Sequence, residues 1–203
     1  MGKLITIVGN VGSGKTTLTR KLCEAGPFCA LLEQHKERPF QEQFSNELKR
    51  FSLSNQIDYL LFRAEQETYA RRNDMISVQD GGLDQDFYVF TRLFHQKGYL
   101  DDEEFQLCER LHSMLRQILP SPDLIIKLSA PKTILVNRRA NRKRKLDIVV
   151  SEDLDELEIL IRDWVTTIVS SPVIYLDASK DEPSYESLLG DLISQINSAL
   201  KDP

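Results

Sequence analysis

The stretch GNVGSGKTT, Gly9 to Thr17, decides the fold of this chain. It matches the pattern G-x-x-x-x-G-K-[ST], which holds the phosphates of a nucleotide when it joins a buried strand to a helix. Both neighbours fit, because the apolar run LITIVG precedes it and a helical pattern from Lys15 to Ala25 begins within it. The sequence therefore predicts a phosphate-binding loop rather than a glycine-rich turn that binds nothing.

The residue types of this loop indicate how it would hold a nucleoside triphosphate. Glycines let the backbone curl until its N–H groups point at one spot, and the helix that follows adds positive potential there. Lys15 would reach the β- and γ-phosphates, and the Thr16 hydroxyl would ligate Mg²⁺. We therefore expect ATP and Mg²⁺, held by Gly9, Asn10, Val11, Gly12, Ser13, Gly14, Lys15, Thr16 and Thr17.

Strands and helices alternate along the rest of the chain. The predicted strands are LITIVG, FCALLE ending at Glu33, MISVQD, DLIIKL and VIYLD. The predicted helices are Lys15–Ala25, Arg38–Arg72 with a break near Phe51, Gln85–Gln96, Asp101–Leu119, one from Lys132, Ser151–Val169 and one at the C-terminal end. This order predicts an α/β fold, a five-stranded parallel sheet with helices on both faces, in one domain over residues 1–203.

Composition excludes several classes of function. The 203 residues carry a net charge of −5, which argues against a protein whose main role is binding nucleic acid. Cys23, Cys29 and Cys108 have no metal-ligand spacing, so we expect reduced thiols and a cytoplasmic protein. No apolar run approaches the ~20 residues that span a bilayer, and we expect no membrane partner.

The basic stretch NRRANRKRK is open to three interpretations: a nucleic-acid site, a charged helix face or a phosphate clamp. The acidic net charge and the phosphate loop favour the clamp, an arginine-rich lid over about residues 138–150. Arg138, Arg142 and Arg144 would neutralise charge on a transferring phosphoryl group, because guanidinium bonds phosphate bidentately. No guanine-reading N-K-x-D segment is present, so the small size and this stretch favour a nucleoside or nucleotide kinase.

Several ordered segments together resemble the deoxyribonucleoside kinases, the group of deoxycytidine, deoxyguanosine and deoxyadenosine kinases. The phosphate loop is generic, whereas the combination of the other segments is specific. These are the acid after the second strand, the segments SNQIDYLLFR, DGGLDQD and RRANRKRKLD, and YLDAS near the end. The residues that carry the resemblance are Glu33, Gln56, Arg63, Asp80, Asp86, Arg138, Arg142, Arg144, Asp147 and Asp177.

The resemblance implies a role for each of these residues around a deoxynucleoside substrate. Glu33 would be the catalytic base for the 5′-hydroxyl, while Gln56 and Arg63 would read the base. Asp86 would orient Arg63, although a plain interhelical ion pair is the alternative for these two residues.

Further contacts would complete the site. The resemblance implies that Asp80 orients Mg²⁺ together with Thr16, that Asp147 accepts from the 3′-hydroxyl, and that Asp177 lies beside the donor's base. Apolar walls would come from Phe40 and Phe87. A homodimer is also implied, with the helix Gln85–Gln96 and its successor as the candidate face.

Two positions depart from the family pattern. Gly81-Gly82 follows Asp80, where the family commonly has an arginine that helps hold the 5′-hydroxyl and the phosphates. The candidates to replace this missing arginine are Arg38, Arg71 and Arg72. Ser45 stands where a tyrosine usually contacts the 3′-hydroxyl.

Two alternative functions remain open at this point. A nucleoside monophosphate kinase resembling thymidylate kinase shares the loop and the lid but needs a cation for the acceptor's phosphate, a need that Glu33 does not meet. A kinase-like nucleotide-binding subunit without catalysis is consistent with the missing arginine. The favoured prediction is transfer of the ATP γ-phosphoryl group to a purine deoxynucleoside or deoxycytidine.

Overall fold

The fold was determined as a computed structural model, which describes residues 2–33, 38–141, 148–179 and 185–201. The strands are β1 Lys3–Gly9, β2 Phe28–Leu31, β3 Ile76–Asp80, β4 Leu124–Ser129 and β5 Val173–Asp177. The α-helices of these residues are α1 Lys15–Ala25, α2 Gln41–Asn46, α3 Leu48–Arg72, α4 Leu83–Gln85, α5 Arg92–Gln96, α6 Asp102–Ile118, α7 Lys132–Ala140, α8 Asp153–Thr166 and α9 Glu186–Ala199. A π-helical segment, Asp86–Thr91, joins α4 to α5.

The five strands form one parallel sheet in the order β2-β3-β1-β4-β5. Strand β1 lies at its centre, with six of its seven residues buried, which explains why its sequence is apolar without alternation. The order reverses at β1, so β3 and β4 flank it, and the phosphate loop leaves the sheet from the carboxyl end of β1. Ligands of open α/β sheets bind at such a point. The predicted fold class is confirmed.

Helices pack on both faces of the sheet and bury two main apolar clusters. One cluster joins β1 and β4 to α1 and α9, and includes Ile7, Leu22 and Ile196. The other joins the opposite face to α5 and α8, and includes Val8, Leu93 and Ile161. Because successive residues of a strand point to opposite faces, neighbouring Ile7 and Val8 belong to different clusters. The rigid sheet thereby fixes the loops at its carboxyl edge.

Two of the predicted boundaries that differ from the structure have a clear local cause. Strand β2 ends at Leu31 rather than Glu33, because its pairing with β3 stops at Leu31 and the Leu32 carbonyl instead accepts from the Gln66 side chain at 3.0 Å. The predicted helix from Arg38 is interrupted at Glu47, not near Phe51, since Glu47 has φ −135° and ψ 78°.

Helix α6 begins as its acidic first turn predicts. Asp101 caps it, accepting from the Glu104 N–H at 2.8 Å, and the Glu104 carboxylate accepts in return from the Asp101 N–H at 3.1 Å. This reciprocal pair is a capping box, which satisfies two N–H groups at a helix start. Among the helices of the described ranges, none has the length and apolarity to cross a membrane.

Candidate active site

The carboxyl ends of β1, β2 and β3 surround a cleft of about 910 Å³, part of which is open to solvent. The phosphate loop forms one wall, and α3 forms the wall opposite. The segment after β2 and the start of the helix after β3 contribute acids between them. Of the predicted site residues, the cleft is lined by Val11, Gly12, Gly14, Lys15, Thr16, Glu33, Gln56, Arg63, Asp80 and Asp86.

The phosphate loop has the backbone that its glycines predict. Gly12 and Gly14 have φ values of 88° and 100°, in the left-handed region that glycine adopts without steric cost. A Cβ on Gly12 would also lie 2.9 Å from the Leu135 carbonyl oxygen, so a side chain would not fit there. The Lys15 ammonium lies over the loop, donating to the carbonyls of Gly9 at 2.9 Å and Asn10 at 3.1 Å. The loop is thus a preformed cradle whose cation is in place.

Gln85 holds the loop in a way that the sequence pattern did not reveal. Its side-chain carbonyl accepts from the Gly9 N–H and its amide donates to the Gly9 carbonyl, both at 3.1 Å. A carboxamide is the side chain that can satisfy a backbone donor and acceptor together. The start of the helix after β3 therefore fixes the position of the loop.

Thr16 and Asp80 meet at the base of the cleft, where the Thr16 hydroxyl donates to an Asp80 carboxylate oxygen. These oxygens, one neutral and one anionic, are the ligand type that Mg²⁺ prefers, and this ion usually keeps few protein ligands. The donor set therefore fits the predicted metal. Thr17 lies beside this pair as a half-buried residue of α1.

Glu33 lies in the cleft with two partners that orient it. The Tyr59 hydroxyl donates to one carboxylate oxygen at 3.1 Å, and the Arg63 guanidinium lies 3.5 Å from the other. Burial and the Glu33 charge both raise the pKa of Tyr59 well above its usual range, so Tyr59 remains a donor. Glu33 is consequently an anchored carboxylate facing the phosphate loop across the cleft.

Arg63 is buried and links three segments around the cleft. Its Nε donates to Asp86 at 2.7 Å, one terminal nitrogen donates to the Asp80 carbonyl at 2.8 Å and to Gln66 at 3.2 Å, and the other faces Glu33. Desolvation opposes its charge, but Asp86 and Glu33 outweigh that and raise the pKa of Arg63 above its usual range. Its charge is therefore permanent, and it fixes the relative positions of these acids.

Asp86 and Gln56 both line the cleft and are linked through Thr91. Burial raises the pKa of the Asp86 carboxyl to about 6, although the Arg63 charge opposes that shift. The Gln56 side-chain carbonyl accepts from the Thr91 hydroxyl at 2.8 Å, and the same hydroxyl lies 3.0 Å from the Asp86 carbonyl oxygen. The π-helical segment from Asp86 to Thr91 thus orients the predicted base-reading amide.

The apolar walls of the cleft are formed by other phenylalanines than the two predicted. Phe87 is 2% exposed and stacks on His112 with centroids 4.4 Å apart, away from the lining of the cleft. Phe40 caps α2 and does not line the cleft either. Phe90 and Phe94 line it instead, four and eight positions after Asp86 on the same side of the helix. That spacing from Asp86 was the signal that could have identified them.

The remaining predicted contacts lie around the loop. Arg138, near the end of α7, donates to the Ser13 carbonyl at 3.3 Å. Asp177 lies in a second concavity next to the loop, shared with Asn10 and Pro131, and accepts from the Ser179 N–H at 2.8 Å. The lid residues Arg142, Arg144 and Asp147 lie outside the described residues.

None of the three arginines proposed to replace the missing one lines the cleft. Arg71 bonds Asp123 and the Ser121 carbonyl at the opposite edge of the sheet. Arg38 pairs with Asp58 at 3.3 Å, and Arg72 is exposed. Ser45 donates to the Glu42 carbonyl at 2.7 Å within α2. Arg63 is instead the arginine beside Gly81 and Glu33.

Comparison with known proteins gives the fold and the family. A deoxyadenosine kinase from M. mycoides, solved with dCMP and dCDP, superposes with a TM-score of 0.83 at 21% identity, over 96% of this chain and 99% of that one, which shows the shared fold. The deoxyadenosine/deoxycytidine kinase of Bacillus subtilis (strain 168) is 26% identical over 96% of this chain and 93% of the relative. A probable thymidylate kinase of Saccharolobus solfataricus is 27% identical over 90% and 92%.

The signature of one family covers nearly the whole sequence, matching residues 5–201 under the description deoxynucleoside kinase. This match confirms the enzyme class that the ordered motifs predicted, an ATP-dependent phosphotransferase. The chain belongs to the deoxynucleoside kinase family.

Proposed function

We propose that the protein transfers the γ-phosphoryl group of ATP to the 5′-hydroxyl of a deoxynucleoside, with a purine deoxynucleoside or deoxycytidine preferred. One observation carries the proposal: the anchored carboxylate of Glu33 faces the phosphate loop across a cleft whose far wall carries Gln56. A nucleoside placed between them has its primary alcohol at an acid and its base at an amide. The relatives named for deoxyadenosine and deoxycytidine support this class of substrate.

In the transfer step, the 5′-oxygen of the nucleoside forms a bond to the γ-phosphorus, and the Glu33 carboxylate accepts the proton that this hydroxyl loses. The bond from that phosphorus to the β–γ bridging oxygen breaks, and ADP leaves with the electron pair. Such transfers depend on positioning and on charge stabilisation. Tyr59 and Arg63 fix the carboxylate so that it need not reorganise during the reaction.

Cations neutralise the charge that moves between the phosphates. Lys15 lies at the loop, and Arg138 reaches the same loop from α7. Arg142 and Arg144 would add to this clamp from the lid, by the spacing of the basic stretch. Thr16 and Asp80 would hold Mg²⁺, which supplies charge neutralisation and orients the donor phosphates when bound.

The base would be read at the far end of the cleft. Phe90 and Phe94 supply apolar walls there, and Gln56 supplies a carboxamide whose orientation Thr91 fixes. Arg63 has little remaining capacity to donate to a base, because Asp86, Asp80 and Gln66 occupy most of its N–H groups. We therefore assign base recognition chiefly to Gln56 and the holding of Glu33 to Arg63.

The similarity to a probable thymidylate kinase makes a monophosphate acceptor the second candidate. An acceptor phosphate needs an uncompensated cation near the acceptor end of the cleft. The described cation there, Arg63, already faces Glu33 and Asp86, so a dianion beside Glu33 would be repelled. This charge balance favours a neutral alcohol over a phosphate. A subunit without catalysis is less favoured, because Lys15, Thr16, Glu33 and Asp80 all line one cleft.

We further infer a cytoplasmic homodimer. Helix α6 exposes an apolar stripe, Leu107, Met114 and Ile118, at helical spacing, and the neighbouring α3 exposes Leu61 and Tyr69. A second copy of this chain is the occupant that such a self-complementary stripe fits. We therefore propose a dimer face on α6, the successor of the helix Gln85–Gln96, together with α3.

The test is a steady-state panel of the four deoxynucleosides and their monophosphates with ATP and Mg²⁺. We expect turnover of deoxyadenosine, deoxyguanosine or deoxycytidine and none of the monophosphates. Turnover confined to monophosphates would establish the second candidate. ATP binding without transfer to any acceptor would support the subunit without catalysis.

A further inference from the structure

The α3 wall of the cleft carries a carboxamide that the function above does not use. Asn55 lines the cleft and is only 2% exposed, and its Oδ1 has no hydrogen-bond partner within the described ranges. Buried polar atoms in folded proteins are almost always bonded, and leaving one unpaired costs roughly 1–3 kcal/mol. An unpaired carbonyl buried at the wall of a ligand cleft points to a partner that the ligand supplies.

The position of Asn55 along α3 indicates which part of the ligand would bond its carbonyl oxygen. Asn55, Tyr59 and Arg63 are four residues apart and line the same side of the helix. Arg63 and Tyr59 contact Glu33, where the reacting hydroxyl would lie. Asn55 is eight residues from Arg63, or ~12 Å along the helix axis. It therefore faces the end of the ligand remote from the reaction, beside Gln56.

Asn55 complements the hydrogen-bonding capacity of Gln56. The Gln56 carbonyl oxygen is engaged by the Thr91 hydroxyl, which leaves its amide nitrogen as the group to donate to a ligand. A base with a ring nitrogen acceptor next to an exocyclic amine needs one donor and one acceptor from the protein. Adenine and cytosine have that edge.

We propose that Asn55 accepts a hydrogen bond from the exocyclic amine of an adenine or cytosine base while Gln56 donates to the adjacent ring nitrogen. This assignment rests on the proposed function, since it takes a nucleoside as the ligand. It makes Asn55 a residue that determines specificity, selecting amino-substituted bases over their oxo counterparts.

The test compares Asn55→Leu with Ser52→Ala. Leucine has the branched shape of asparagine without its polar atoms. Ser52 is the matched control, because it lies on α3 one turn earlier, is fully buried and does not line the cleft, and its hydroxyl has no partner among the described residues. We expect Asn55→Leu to raise the KM for deoxyadenosine at least tenfold, with the KM for ATP unchanged and the Tm equal or higher. Ser52→Ala should change neither KM.

A substrate lacking the amine separates a base contact from a general defect. Purine 2′-deoxyriboside has no 6-amino group, so Asn55→Leu should change its KM less than twofold. An unchanged KM for deoxyadenosine in Asn55→Leu would overturn the proposal, and so would equal losses for the two nucleosides. Asn55→Ala repeats the test without adding bulk. Wild-type protein that phosphorylates no nucleoside would instead overturn the proposed function itself.

Discussion

The Arg63 guanidinium lies where a side chain on Gly81 would begin: a Cβ built on Gly81 would be 3.0 Å from the nearer terminal nitrogen of Arg63. Arg63 cannot easily move aside, because it is 2% exposed and bonded to Asp86 and the Asp80 carbonyl. Gly81 therefore leaves room for the Arg63 guanidinium beside Glu33.

This relationship predicts that Gly81→Ala lowers kcat at least tenfold, since the added methyl group would displace Arg63 from Glu33. Gly98→Ala is the matched control: Gly98 has a φ of 66°, close to the 75° of Gly81, but none of the described residues has an atom within 4 Å of its Cβ position. Alanine in the left-handed region costs about 1–2 kcal/mol at either site. Equal kcat values for the two variants, measured at saturating substrates, would contradict the role of Gly81.

The second prediction concerns the proposed base. Glu33→Gln should lower kcat by roughly 10²–10⁴-fold, the usual effect of losing a general base, while the KM for ATP stays within about threefold. Tyr59→Phe is the control, because it removes the hydroxyl that orients Glu33 at 3.1 Å but leaves the carboxylate. Tyr59→Phe should lower kcat much less than Glu33→Gln does. Unchanged turnover in Glu33→Gln would remove this residue from the mechanism.

Asp86 gives a prediction about pH. Burial raises the pKa of its carboxyl to about 6, above the ~3.9 expected in an unfolded chain. Between these values the folded protein binds a proton that the unfolded chain lacks, so the free energy of unfolding should rise as the pH falls from about 6 to about 4. Asp86→Asn should lose this contribution. Urea unfolding of both proteins across this range checks it, and parallel pH dependences would contradict it.

The ends of strands explain which parts of the site were predictable. Asp80 ends β3 and Glu33 follows β2, and parallel strands bring their carboxyl ends to one edge whatever the loops between them do. The apolar walls were harder to predict, because neighbouring aromatic residues of one helix can face the core or the cleft: Phe87 packs in the core, whereas Phe90 lines the cleft. Phe87 was therefore assigned in place of Phe90.

Asn55 and Gln85 show a different limit of the sequence. Polar residues inside helices usually face solvent, so a lone carboxamide gives no sign of its role. Gln85 becomes meaningful only when the fold brings it to the Gly9 backbone, and Asn55 only when its oxygen is found without a partner. The roles of Gln85 and Asn55 therefore depend on tertiary contacts, which local sequence patterns do not show.

The apolar stripe on α6 gives the last prediction. Ile118 is 71% exposed and Met114 51%, so a charge at position 118 would be harmless in a monomer but would be buried in the inferred dimer. We expect wild-type protein to sediment as a dimer at micromolar concentration and Ile118→Asp to sediment as a monomer. Val169→Asp, at a residue 97% exposed after α8, should remain dimeric. Identical sedimentation of all three proteins would show that α6 does not mediate self-association, because a dimer built on this stripe cannot bury an unpaired carboxylate without weakening.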